Sequence, residues 1–280
     1  MAKLAENRYG KSRVRLVKVT RGEVAHEVRD WNVNIAFEGD YESCFVAGDN
    51  SRVLPTDTMK NTVYSLARDS AAGSVEEFAR ELVEHFLIAA AAASTVSVEI
   101  AEKRWAHVLV DGQAHPTTFE QRDLAIQTTA VRGSRQGESR VVSGVKNLII
   151  LKTANSAFEG FVRDRLTTLP ESSDRLFGTE LTATWAYAAG PLDYPALRAQ
   201  ITGTLLTAFA EHRSLSVQHT LFAMGEAVLA VAGSVVEMNL SMPNRHCLLV
   251  NLAPFGQNNP NEIFVPIDEP HGSIEARIVR

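Results

Sequence analysis

A chain of 280 residues, 45% of them hydrophobic, has room for one large domain or two ordinary ones around a substantial core. A net charge of -5 without any long Lys/Arg run argues against nucleic acid or anionic membrane as the main partner and leaves small anions held by local basic groups. The two cysteines, Cys44 and Cys247, are too few for a disulfide framework or a cysteine metal cage and are expected to pack in strands.

The N-terminus, Met-Ala-Lys-Leu-Ala-Glu, lacks the apolar core of a signal peptide, and the apolar run at 86–93 is too short to span a bilayer, so an intracellular, non-membrane protein is expected. Residues 13–20 alternate polar and apolar. Trp31, Val33, Ile35 and Phe37 place an apolar face on a second strand, with Asn32 and Asn34 opposite. The stretch 49–64 then sets a polar loop against a helix start: Pro55 keeps Leu54 out of helical geometry, and Asp57 or Thr58 is expected to cap a helix over 58–71. Such a corner can present amides to an anion.

Ser74-Val-Glu-Glu77 forms a capping box for a second helix that puts Phe78, Leu82, Phe86 and Ala89 on one side. Two long strands are expected at 95–110 and 124–132, with Gly112, His115 and Pro116 marking their connection. The order then recurs: strands near 140–151 and 181–187, helices near 195–212 and 217–231, strands near 235–242 and 247–252. In the last helix Val217, Leu221, Met224, Val228 and Val231 share a face. Strands and helices arriving in blocks predict an α+β fold with antiparallel sheets and helices on one face, in two halves over residues 1–138 and 139–280.

No glycine-rich phosphate loop, His-Glu-x-x-His, paired-Cys zinc pattern or serine elbow occurs. His107, Asp111 and His115 flank a turn and are set aside as a metal set, so no metal is expected. On residue types alone Arg175 reads as a salt-bridge partner of Asp174, Gln218 as a first-turn helix residue, and Asn244 as an Asn in a hairpin.

The run Asn50-Ser51, Val53-Leu54-Pro55-Thr56-Asp57-Thr58-Met59-Lys60-Asn61-Thr62-Val63-Tyr64 resembles the signature of urate oxidases, the uricase family. Arg8-Tyr9-Gly10-Lys11, Asn155-Ser156-Ala157-Phe158, Asp174-Arg175, Ser216-Val217-Gln218 and Leu240-Ser241-Met242-Pro243-Asn244-Arg245-His246 resemble further motifs of that family, in its order and over nearly the whole chain.

The resemblance implies two tandem tunnelling-fold repeats, a homotetramer that closes the sheets into a barrel with helices outside, and active sites at subunit interfaces. It implies oxidation of urate by O2 and water to 5-hydroxyisourate and hydrogen peroxide with no metal, flavin or haem. Arg175 and Gln218 would clamp the purine in-plane, with Val217 amides beside them; Phe158 would stack on its face. Lys11, Thr56 and His246 would handle protons, Lys11 and Thr56 coming from a neighbouring subunit. Asn244 would face Thr56 across the oxygen site, and Asp57 would act through its backbone amide.

Glu159 stands where some relatives have a large aromatic, so a different outer pocket wall is expected. The C-terminal Ala-Arg-Ile-Val-Arg is not a Ser-Lys-Leu peroxisomal address, so cytoplasm is expected. Two rival readings are a non-catalytic purine-binding protein and another tunnelling-fold purine or pterin enzyme.

Overall fold

The computed structural model describes residues 2–137, 139–267 and 269–280. The expected boundary between halves falls at residue 138, outside the described residues; the chain divides into one compact unit of residues 1–144 with 191–195 and another of 145–190 with 196–280. Among the described residues the architecture is α+β, with a large antiparallel sheet and five α-helices. No helix among the described residues is long and apolar enough to cross a membrane.

In the first unit β1 (Tyr9–Arg21), β2 (His26–Gly39), β3 (Ala93–Lys103) and β6 (Ile126–Ser134) lie side by side in antiparallel register. Trp31, Val33, Ile35 and Phe37 are buried as the alternation requires, while Asn32 and Asn34 occupy the half-buried opposite face. A short helix α1 (Glu42–Ala47) precedes α2 (Thr56–Asp69), and α3 (Val75–Ala89) follows. The capping box at Ser74 and Glu77 is formed. Phe78, Leu82 and Phe86 are fully buried, and Trp31 stacks on Phe78 with ring centroids 4.8 Å apart. Ala89 does not join them; it is exposed at the last residue of the helix.

Two further expectations fail in this unit. Neither Asp57 nor Thr58 caps α2: the helix begins at Thr56 with Pro55 as its N-cap, and the Asp57 carboxylate bonds forward to Lys60 and Asn61 instead. A Pro fixed at φ -57 already sets the entry angle, so a side-chain cap is not needed to start the turn. The strand expected over 95–110 breaks after Lys103, and a separate hairpin of β4 (Ala106–Val110) and β5 (Gln113–Glu120) intervenes, its turn carrying Asp111 and Gly112 at positive φ. His107 is used within this hairpin, its Nδ1 lying 2.7 Å from the His115 carbonyl oxygen.

β1 meets β2 closely at Gly10, where a Cβ would sit 1.9 Å from the Ile35 carbonyl oxygen and 2.8 Å from the Ala36 Cα. Both neighbours are backbone, so the strands would have to part. Gly10→Ala is therefore expected to cost about 1–3 kcal/mol of stability, measurable by denaturant unfolding; a change below about 0.5 kcal/mol would contradict the close approach.

β7 (Ser139–Lys152) carries the chain onward, its residues from Val145 belonging to the second unit. That unit holds β8 (Phe177–Tyr187), α4 (Tyr194–Glu211), α5 (Val217–Val231), β9 (Val235–Ser241), β10 (Asn244–Leu249), β11 (Phe264–Ile267) and β12 (Glu275–Val279). Val217, Leu221, Met224 and Val228 are buried, whereas Val231 is 51% exposed where α5 ends. The strands β11 and β12 go beyond the expected elements.

β9 and β10 keep one register against β8: Ser241 opposes Thr182 and Asn244 opposes Thr179. They read as two strands because Pro243 has no N–H to offer the ladder. Asn244 therefore sits in a line of strand that continues past Pro243 and not in a hairpin turn, which corrects the residue-type reading. On the far side β9 pairs with β12 and β10 with β11, and the intervening segment folds over Pro243, with Met242 donating to the Ile274 carbonyl and Asn244 to the Gly272 carbonyl.

Candidate active site

Two backbone staples build the core of the site in the second unit. Phe158 and Ser172 exchange both their N–H···O bonds, at 2.7 and 3.1 Å, and the Arg175 N–H donates to the Ser156 carbonyl at 2.8 Å. The Ser156 N–H in turn reaches the Asp174 carboxylate at 3.0 Å, so Asp174 is committed to the loop backbone. Asn155 at φ 61 and Gly160 at φ 70 turn the chain at either end of the first arm.

The staples bring Phe158 and Arg175 together. The guanidinium carbon lies 5.0 Å from the Phe158 ring centroid, and Phe161 stacks on Phe158 at 4.9 Å with planes 14° apart. Arg175 Nε is buried without a hydrogen-bond partner, and burial pulls the guanidinium below its ordinary pKa. A buried, unpaired donor on a permanent cation is costly, and an anion accepting from it would relieve that cost.

A cavity of about 510 Å³ opens beside these groups, lined by Phe158, Arg175, Asn244 and His246 with Leu248 and Phe264 among its apolar walls. Its size suits a small flat ligand. Asn244 and His246 alternate on β10 and so project from the same face, their Nδ2 and Nδ1 atoms 3.2 Å apart. Leu248, Phe264 and the second ring of Phe161 are contributions that periodicity could not single out; the Phe-x-x-Phe spacing was the one available signal.

Val217 and Gln218 approach by a third arm. Ala157 donates to the Ser214 carbonyl at 2.7 Å and Ser214 to the Asn155 carbonyl at 2.9 Å, which ties the loop entering α5 to the Phe158 arm. Ser216 caps α5 through its side chain, accepting from the His219 N–H. Val217 is buried, while Gln218 is exposed in the first turn and lies outside the cavity lining.

Behind Gln218, His219 Nδ1 meets His212 Nε2 at 3.1 Å, and Lys152 Nζ bonds the His212 carbonyl. Burial, then the His219 and Lys152 charges, hold the His212 imidazole below its usual pKa. The folded state thus binds fewer protons than the unfolded chain. Stability from neutral His212 is full above an unfolded pKa of about 6.5 and is lost as pH falls through the lower folded value. Melting temperature is expected to drop on acidification from neutral pH, and to drop less in His212→Gln; equal drops would contradict this.

The first unit holds the remaining candidates. Lys11 is half-buried at an irregularity of β1, where the register against β2 shifts between Lys11 and Val14 and Arg13 takes φ 59. A bulge of this kind re-aims side chains. Thr56 and Asp57 open α2. The Asp57 carboxyl is held below the usual carboxylate range first by its bond with Lys60, with the Lys11 charge the smallest contribution. The sequence-derived candidates therefore fall on both units, Phe158, Arg175, Val217, Gln218, Asn244 and His246 on one and Lys11, Thr56 and Asp57 on the other.

The Uricase family model matches residues 7–132 and 141–275 of this chain. A uricase of Arthrobacter globiformis is 41% identical over 283 residues, covering 99% of this chain and 90% of that protein. A uricase of Dictyostelium discoideum is 37% identical, covering 100% of this chain and 98% of the other. The crystal structure of the Arthrobacter globiformis uricase superposes with a TM-score of 0.94 at 40% identity, over 100% of this chain and 96% of that one. A match of this extent in both sequence and backbone, with every quoted motif inside it, leaves one conclusion: the chain belongs to the uricase family.

Proposed function

We propose that this chain is a urate oxidase, converting urate, O2 and water to 5-hydroxyisourate and hydrogen peroxide without metal, flavin or haem. The observation that carries the reading is the buried, unpartnered Arg175 Nε beside Phe158 in a cavity that also presents Asn244 and His246. A planar anion such as urate would accept from the guanidinium while its face lies against an aromatic ring. Gln218 completes the in-plane clamp and Val217 adds a backbone amide. Asn244 faces the oxygen and water position.

Lys11, Thr56 and His246 move protons: one leaves urate to give the electron-rich dianion, two electrons pass to O2, and water adds to the oxidised ring as peroxide departs. Asp57 contributes its backbone amide. Lys11 and Thr56 belong to the neighbouring protomer, in a homotetramer whose tandem tunnelling-fold repeats, residues 1–138 and 139–280, close into a barrel. The address is cytoplasmic.

Urate titration under nitrogen followed by admission of air tests this reading. Binding without absorbance loss under nitrogen, then loss of urate absorbance with peroxide formation by chelator-treated protein in air, is expected. Stable absorbance in air would leave a purine-binding protein instead, and dependence on added metal would favour the pterin-type enzyme.

A further inference from the structure

We infer that Tyr9 is a positioning residue that sets the distance between Lys11 and Thr56 by pinning Leu54 to β1; the inference rests on the proposed urate oxidation. The Tyr9 hydroxyl accepts from the Leu54 N–H at 3.0 Å and donates to the Leu54 carbonyl at 3.3 Å, so one side chain satisfies both backbone groups of a residue 45 positions away. Its ring is locked edge-on against Phe37 at 5.6 Å and Tyr41 at 4.7 Å, which leaves the hydroxyl little freedom.

Two short, stiff segments run from this pin. Lys11 lies two residues along β1 and so shares the face of Tyr9. Thr56 lies two residues beyond Leu54, across Pro55, whose ring fixes φ at -57. The loop leading to the pin is also held by the local turn from Val53 to Asn50, the Ser51 to Asp49 bond, the exposed Arg52–Asp40 pair, and bonds to α1 from the Asp49 N–H to the Ser43 carbonyl and from Cys44 Sγ to Asn50 Oδ1, none of which involves Leu54 itself. Releasing Leu54 would therefore let Thr56 drift relative to Lys11 while the Arg175 and Phe158 staples, built from other residues, stay as they are.

Tyr9→Phe tests this, because it keeps the ring packing and removes the hydroxyl. Expected are a fall in kcat of about tenfold, with urate affinity under nitrogen changed by less than about threefold, since proton relay suffers from misplacement more than ground-state binding does. The Leu54 amide should also exchange its hydrogen faster than in the wild type. Unaltered kcat in a variant of an active wild type overturns the inference, as does an equal loss of kcat and affinity. Wild type that consumes no urate sinks the functional reading alone, because Leu54 exchange still decides the tether: an unchanged rate overturns it. Should Tyr9→Phe fail to fold, Pro55→Gly, which slackens the link and leaves the pin, is expected to show the same kcat loss; wild-type kcat there overturns the proposal equally.

Discussion

Arg175→Ala is expected to weaken urate binding by about 2–5 kcal/mol, a loss of at least about thirtyfold, the range for removing one partner of a buried charge-assisted pair. The free protein already bears the cost of a buried guanidinium whose Nε has no acceptor, so the ligand gains from a prepaid arrangement. The same orphaned donor predicts that the fold itself barely suffers: losing the stack over Phe158 is offset by removing an unsatisfied polar group, and unfolding stability should change by less than about 1 kcal/mol. Lysine at this position keeps the charge but lacks the planar fork, and is expected to restore only part of the affinity. Titration with urate under nitrogen measures the effect. Affinity within about threefold of wild type in Arg175→Ala would remove Arg175 from the clamp.

Lys11→Met and Thr56→Ala are expected to act on the other side of the ledger, lowering kcat by about a hundredfold or more with affinity nearly kept, the scale of lost general acid–base catalysis. Lys11 stands where the register of β1 shifts against β2, and Thr56 is the first residue of α2, both in the first unit. Because these groups and the clamp fall on different units of the chain, mixing offers a sharper test. If the proposed homotetramer forms, assemblies mixed from Arg175→Ala and Lys11→Met subunits are expected to regain turnover that neither variant shows alone. No recovery, despite mixed assembly, would contradict a site shared between protomers. Full kcat in Thr56→Ala would contradict the hydroxyl relay by itself.

Local pattern made much of the fold legible. Period-two alternation located the buried face of β2, and the Ser74–Glu77 capping box located the start of α3, because each depends on neighbours a few residues away. Helix ends were read less well: Ala89 and Val231 continue the apolar period yet are exposed, each being the last residue of its helix. The Thr56 corner shows a different failure. Asp57 has the right side chain for a cap, but Pro55 starts the helix earlier and Lys60 and Asn61 claim the carboxylate.

By itself the sequence determined the family, the α+β order of elements, and the residue types available for holding an anion and moving protons. Only the tertiary structure decided that Arg175 would be aimed along Phe158 with its Nε unpaired, that Asn244 would continue the line of β9 past Pro243, and that Tyr9 would pin Leu54. The physical reason is the reach of the bonds involved. Ser156 to Asp174, Phe158 to Ser172, Ala157 to Ser214 and Tyr9 to Leu54 each join residues far apart in the chain, and no periodicity within a single helix or strand records such a partner.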